Sequence, residues 1–176
     1  MTKSVLALGS NLGDRAGYLR GAVAALDEWL LVVSGVYETP PWPPGAGGPP
    51  YLNAVLLVHD ASATPRDWLD RARACEERAG RVRDPADRNA PRTLDVDVVA
   101  VWTDDDTPVL SDDPELTLPH PRAHLRAFVL RPWIDIQPYA RLPGHGPLTD
   151  LLRAPEVAAD LADVRARGDV ELESAQ

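Results

Sequence analysis

Ser4-Val5-Leu6-Ala7-Leu8-Gly9 is an apolar run that stops at Gly-Ser-Asn, which predicts a strand feeding a turn. After Asp14, Leu19, Val23, Leu26 and Leu30 recur at helical spacing, so Asp14 is placed as an N-cap and a helix is expected to about Leu31. Val32 to Tyr37 is strand-like. Between Thr39 and Pro50 six prolines and three glycines exclude helix and central strand. They leave a long irregular loop, which compact domains usually keep for function. Tyr51 to His59 returns to strand character, and Thr64-Pro65 opens a helix with proline at its first position. Trp68, Leu69, Ala72 and Cys75 carry the apolar stripe of that helix toward Gly80, and Leu94 to Val101 reads as a further strand.

The order β-α-β-β-α-β predicts an α+β chain with a ferredoxin-like core: an antiparallel sheet, helices packed on one face, and long functional loops. Beyond it, Ala127 to Ile136 is expected as a helix broken near Pro132, and Leu148 to Leu152 as another. The domain is expected to cover residues 1–155. Residues 156–176 are alanine-rich and charged with weak periodicity, and are expected as a C-terminal tail that is helical or disordered.

Composition narrows the class. A chain of 176 residues, 44% hydrophobic and 26% charged, suits one globular domain. No apolar run approaches the ~20 residues of a membrane span, and the N-terminus lacks a basic region before its short apolar stretch. A cytoplasmic address with no membrane partner is expected. The single Cys75 forms no internal disulfide and reads as a packed helix residue. A net charge of −9 argues against a long nucleic acid as partner. Two basic islands stand out nonetheless. Five arginines lie between Arg78 and Arg92 against Asp84 and Asp87, and Leu116 to Ile134 holds no acid but contains His120, Arg122, His124, Arg126 and Arg131. Such islands in an acidic chain suit a small polyanion, such as a nucleotide, held at one place.

The sharpest chemistry is Asp95-Val96-Asp97. On a strand these two aspartates share a face, ~6.6 Å apart at Cα, close enough to converge on two metal ions ~3.5–4 Å apart. A solvated strand face is the commoner fate of Asp-x-Asp. Here Arg92 lies three residues before Asp95, so carboxylates for magnesium and guanidinium groups for phosphate are delivered together. Phosphoryl transfer needs that combination. Tyr51 and Asn53 likewise share a strand face beside the proline loop, an aromatic plate and an amide that suit a flat heterocycle. Gly9 to Arg15 lacks the ending of a Walker motif and reads as a tight turn with a helix cap.

Six blocks occur in register: Gly9-Ser10-Asn11-Leu12-Gly13, Tyr37-Glu38-Thr39-Pro40-Pro41, Tyr51-Leu52-Asn53-Ala54, Arg81-Val82-Arg83, Pro91-Arg92-Thr93-Leu94-Asp95-Val96-Asp97 and Leu118-Pro119-His120-Pro121-Arg122. On them the sequence resembles the 6-hydroxymethyl-7,8-dihydropterin pyrophosphokinases of folate biosynthesis (2-amino-4-hydroxy-6-hydroxymethyldihydropteridine diphosphokinases), from about Lys3 to Leu152. The resemblance implies transfer of diphosphate from ATP to the pterin hydroxymethyl group, leaving AMP. It implies that Asp95 and Asp97 hold two magnesium ions, and that Arg81, Arg83 and Arg92 are catalytic. These arginines, with Glu76, His120 and Arg126, would line ATP. Thr39, Pro41, Trp42, Tyr51, Asn53 and Phe128 would hold the pterin, its ring stacked between Tyr51 and Phe128. The proline loop and the Arg81–Arg92 loop would close as lids.

The chain departs from the family pattern where Asn89-Ala90 replaces an aromatic-glycine pair and where Pro121 follows His120 in place of tyrosine. Two other readings compete. Nucleotidyltransferases also pair Gly-Ser with Asp-x-Asp, but about ten residues apart by resemblance, whereas Gly9 and Asp95 are 95 − 9 = 86 positions apart. A ferredoxin-like pterin- or nucleotide-binding module without turnover is the non-enzyme alternative.

Overall fold

The computed structural model describes residues 1–81, 85–86 and 92–173. In chain order the elements are β1 (Thr2–Ser10), α1 (Arg15–Ala25), β2 (Leu30–Val33), β3 (Tyr37–Thr39), β4 (Tyr51–Asp60), α2 (Pro65–Arg78) and β5 (Asp95–Thr103). A hairpin of β6 (Ser111–Asp113) and β7 (Leu116–Leu118) follows, then α3 (Ala127–Ile136) and a second hairpin, β8 (Arg141–Leu142) and β9 (Gly146–Pro147). The chain ends with α4 (Leu148–Leu151), α5 (Pro155–Leu161) and β10 (Arg165–Ala166). The main sheet is antiparallel in the order β10-β3-β4-β1-β5, with β2 also on β4. Counting β2 and β3 as one interrupted strand, the ferredoxin-like arrangement expected from the sequence is the one observed.

Local chemistry sets the element ends. The Asp14 side chain accepts from the Gly17 N–H at 3.0 Å and caps α1. That helix stops at Ala25, six residues short of the expected end, and Leu30 packs on the same core from a strand. The strand expected across Val32 to Tyr37 is split at Ser34. There Ser34 N–H donates to the Val55 carbonyl at 2.9 Å, and its hydroxyl accepts from Val55 N–H at 2.8 Å, so a side chain completes the ladder. Thr64 and Asp67 form a full capping box on α2. Helix α3 is not broken at Pro132. One backbone hydrogen bond is forgone there, and burial of Val129, Leu130 and Trp133 outweighs it.

The two core helices, α1 and α2, pack on one face as expected, and the later helices cover the second face. Leu6, Leu8, Leu56 and Val58 pack with Leu19, Val23 and Trp68 of α1 and α2. Val5, Ala7, Val55 and Leu57 pack with Leu130, Trp133, Leu148 and Val157 of α3, α4 and α5. The cause lies in the strands, since Val5 to Leu8 and Ala54 to Val58 are apolar at every position, and a strand apolar on both sides needs two covers.

The segment expected as a helical or disordered tail contains most of α5, which begins at Pro155, and then β10, paired on β3. Val157 is fully buried and Leu172 nearly so. Among the described residues no helix is long and apolar enough to cross a membrane.

Candidate active site

The second face of the sheet is only partly covered by helices, and its open end holds the chemistry. Gly9 of β1 pairs with Asn53 of β4 on one side and Asp95 of β5 on the other. One step along, Ala7 pairs with Val55 and Asp97. A Cβ on Gly9 would lie 3.4 Å from both Asn53 Oδ1 and the Tyr51 ring, so glycine keeps the floor between the amide and the carboxylate low. One cavity runs over this floor. Asp95, Asp97, Arg92 and Arg126 line one end, and Thr39, Pro41, Trp42, Tyr51, Asn53 and Phe128 the other.

At the charged end Asp95 accepts from Arg81 Nη1 at 2.6 Å and from Arg92 Nη1 at 3.1 Å. Arg81 also donates to Glu76, a nearly buried carboxylate that accepts from the Val96 N–H at 3.2 Å. Glu76 thus ties the end of α2 to the start of β5 and aims Arg81 at the site. Asp97 accepts from Arg126 Nη1 at 3.2 Å and has His120 Nε2 4.0 Å away.

These contacts set the protonation. Burial opposes ionisation of Asp95, but Arg92 and Arg81 outweigh it and hold the carboxyl below its usual range. Burial first, and then the charge of Asp95, push Asp97 up to about 7 despite Arg126. Burial, reinforced by Arg126, pushes His120 down to about 4, so it is neutral near pH 7. Its Nδ1 accepts from the Arg122 N–H at 3.1 Å, which leaves the proton on Nε2 as a donor.

At the aromatic end Trp42 meets Phe128 edge-to-face, centroids 6.5 Å apart. The Arg126 guanidinium lies 5.2 Å from the Trp42 ring and 5.6 Å from Phe128, so this one side chain spans both ends of the cavity. Asn53 Nδ2 donates to Thr39 Oγ1 at 2.7 Å and to the Tyr37 carbonyl at 3.4 Å. Its Oδ1 is left beside Gly9 at the cavity floor.

Thirteen of the fourteen sequence-derived candidates are therefore placed. Ten line the cavity, Glu76 and Arg81 stand directly behind Asp95, and His120 stands beside Asp97, while Arg83 lies outside the described residues. So do Asn89-Ala90 and most of the proposed Arg81–Arg92 lid.

Sequence reasoning missed Asn11 and Arg15. Buried Asn11 donates from Nδ2 to the Pro49 carbonyl at 3.2 Å and accepts the Arg92 N–H on Oδ1 at 2.8 Å, joining the proline loop to the arginine segment. Arg15 donates to the Pro50 carbonyl at 3.0 Å and to Glu38 at 2.9 Å. Asn11 carried a signal, its place in the Gly9–Gly13 motif block, whereas Arg15 had only its position just after the Asp14 cap.

A ferredoxin-like sheet whose open face sets paired carboxylates and arginines against an aromatic-amide wall defines an α+β protein equipped to bring a polyphosphate to a flat heterocycle. A family model described as 7,8-dihydro-6-hydroxymethylpterin-pyrophosphokinase (HPPK) matches residues 5–138, and the chain belongs to that family. It is 46% identical over 165 residues to the 2-amino-4-hydroxy-6-hydroxymethyldihydropteridine pyrophosphokinase of Mycobacterium tuberculosis (strain ATCC 25618 / H37Rv), covering 90% of this chain and 86% of the relative. It is 38% identical over 153 residues to the Pseudomonas aeruginosa protein of the same name, covering 85% and 89%. Among solved structures, an HPPK-DHPS in complex with substrates superposes with a TM-score of 0.61 at 11% identity, over 87% of this chain and 43% of that one. Wild-type Plasmodium falciparum HPPK-DHPS with pterin and p-hydroxybenzoate gives 0.61 at 14% identity, over 86% and 42%. At such identity the structures show the fold alone, and this chain spans less than half of them.

Proposed function

We propose that this cavity transfers the β,γ-diphosphate of ATP to the hydroxymethyl group of 6-hydroxymethyl-7,8-dihydropterin, giving the pterin diphosphate and AMP, a step of folate biosynthesis carried out in the cytoplasm. The enzyme is an ATP-dependent diphosphotransferase. The observation that carries this reading is one cavity in which Asp95, Asp97, Arg92 and Arg126, with Arg81 behind Asp95, face an aromatic wall with an amide on its floor.

Arg92 and Arg126 lie where they can take phosphate oxygens, with Arg81 behind them held by Glu76. These guanidinium groups are fixed before substrate arrives, so little reorganisation is needed as charge shifts in the transition state. His120, neutral, offers Nε2–H as a hydrogen-bond donor rather than a second positive charge. Tyr51 and Phe128 supply faces for the pterin ring. Asn53, its Nδ2 committed to Thr39, presents Oδ1 as an acceptor to the ring's N–H edge. Arg83 joins the phosphate side in this reading by its place in the family motif.

Asp95 and Asp97 fit magnesium. They are hard oxygen donors on one face, and a bound cation would offset the burial and the charge of Asp95 that push the Asp97 carboxyl up. Two magnesium ions held there would neutralise the triphosphate and make the attacking hydroxyl more acidic.

Incubation with magnesium, ATP and 6-hydroxymethyl-7,8-dihydropterin should release AMP in step with pterin diphosphate. Release of ADP, or of neither nucleotide, would overturn the assignment.

A further inference from the structure

Residues 162–172 cross the edge of the sheet like a strap, and they lie beyond the region that the family model matches. On one side α5 is anchored by buried Val157 against α3. β10 then pairs with β3, with Arg165 opposite Glu38 and Ala166 opposite Tyr37, and Arg167 N–H donates to the Val36 carbonyl at 2.8 Å. On the other side Leu172 is buried beside α1, and Arg20 Nε donates to the Glu171 carbonyl at 2.8 Å.

The strap bears on the two ends of the proline loop. Arg167 Nη1 donates to Glu38 Oε2 at 3.0 Å, and Arg15 Nη1 donates to the same oxygen at 2.9 Å. Arg15 also holds the Pro50 carbonyl, where the loop ends. Glu38 is the neighbour of Thr39, where the loop begins and whose hydroxyl takes Asn53 Nδ2. Arg167 is itself fixed by Asp169, through Nε at 2.9 Å and Nη2 at 2.8 Å, a bidentate grip that aims its remaining nitrogen at Glu38. One charged hub therefore joins both roots of the loop that carries Pro41 and Trp42.

The hub sits at the opposite edge of the sheet from the aspartates. In the order β10-β3-β4-β1-β5, the strap and β5 are four strand spacings apart, about 19 Å. Arg167 reaches the hub only through Glu38, beside Thr39, while Arg15 and Asn11 keep their own bonds to Pro50 and Pro49, so loosening Arg167 bears first on the heterocycle end of the cavity.

We propose that Arg167 is a positioning residue for the pterin: through Glu38 it holds the proline loop at the spacing that forms the pterin pocket, so the C-terminal strap is part of the substrate site. This rests on the pyrophosphokinase reading above.

The test measures pterin affinity in the presence of magnesium and a non-hydrolysable ATP analogue, affinity for the analogue alone, steady-state kinetics and the unfolding midpoint. Arg167→Ala should raise the pterin Kd and KM about three- to tenfold, with kcat and analogue affinity within about twofold of the parent. Arg167→Lys should recover part of the loss. Glu38→Gln should act alike, and the double variant should be no worse than either single one. Pterin affinity unchanged in both single variants overturns the strap's role alone. So does an equal loss of pterin and analogue affinity accompanied by a large fall in unfolding midpoint. Failure of the unaltered chain to bind pterin overturns the pyrophosphokinase reading and this proposal with it.

Discussion

Asp95 and Asp97 stand two residues apart on one face of β5, and the fold drives their carboxyls in opposite directions. Asp95 is shared by Arg81 and Arg92, whereas among the described residues Asp97 accepts from Arg126 and must also meet burial and the charge of Asp95. In the ligand-free chain the pair is poised to give up a proton when further positive charge arrives.

Replacing either carboxylate should abolish the reaction without unfolding the chain. Asp95→Ala and Asp97→Ala are each expected to lower turnover by at least about a hundredfold, through loss of the metal-held charge at the phosphates. Turnover assays beside circular dichroism check this. Near-normal rates in both variants would remove the pair from the chemistry.

Stability should carry the mark of Asp97. Its carboxyl is pushed up to about 7 in the folded chain, against roughly 4 when unfolded. Between those pH values the folded state holds a proton that the unfolded state has lost, so the stabilisation is full below about pH 4 and is lost as pH rises through 7. Asp97→Asn does not titrate. In metal-free buffer its unfolding free energy relative to the parent should therefore climb from pH 4 to about 7.5. The depressed His120 acts in the opposite sense but is common to both chains, so it largely cancels in the difference. A difference independent of pH would contradict the raised carboxyl.

Arg92→Ala should slow the chemical step more than it weakens pterin binding, since the guanidinium faces the phosphate end and touches Asp95. Single-turnover kinetics separate the two effects. An unchanged single-turnover rate with much weaker pterin affinity would move Arg92 to the other substrate.

Asn11→Ala should cost about 1–3 kcal/mol, because Asn11 is buried and its loss leaves the Arg92 N–H and the Pro49 carbonyl without this partner. Urea unfolding measures the cost. Since the side chain joins the two substrate loops, both KM values should rise together. A midpoint equal to the parent's would show that the loops are held by other contacts.

Sequence alone determined the elements whose signals are local. The cap at Asp14, the Thr64-Pro65 helix start, the strand of alternate carboxylates and the proline-rich loop each follow from neighbours a few positions away, and each occurs where the pattern puts it. The same holds for the family, because its motif blocks are short and ordered. Tertiary structure decided everything that depends on register between distant strands. Gly9 was legible as a turn residue, but only pairing with both Asn53 and Asp95 makes it the floor between an amide and a carboxylate. The second helical layer and the strap followed no local rule either. Leu172 and Val157 sit in weakly periodic, charged surroundings, and what orders them is the apolar second face of the sheet and the open edge of β3, which need covering. Protonation of the aspartates belongs to the same category. Their spacing was written in the chain, yet the direction in which each carboxyl moves depends on which arginines the fold brings beside it and how much water it removes.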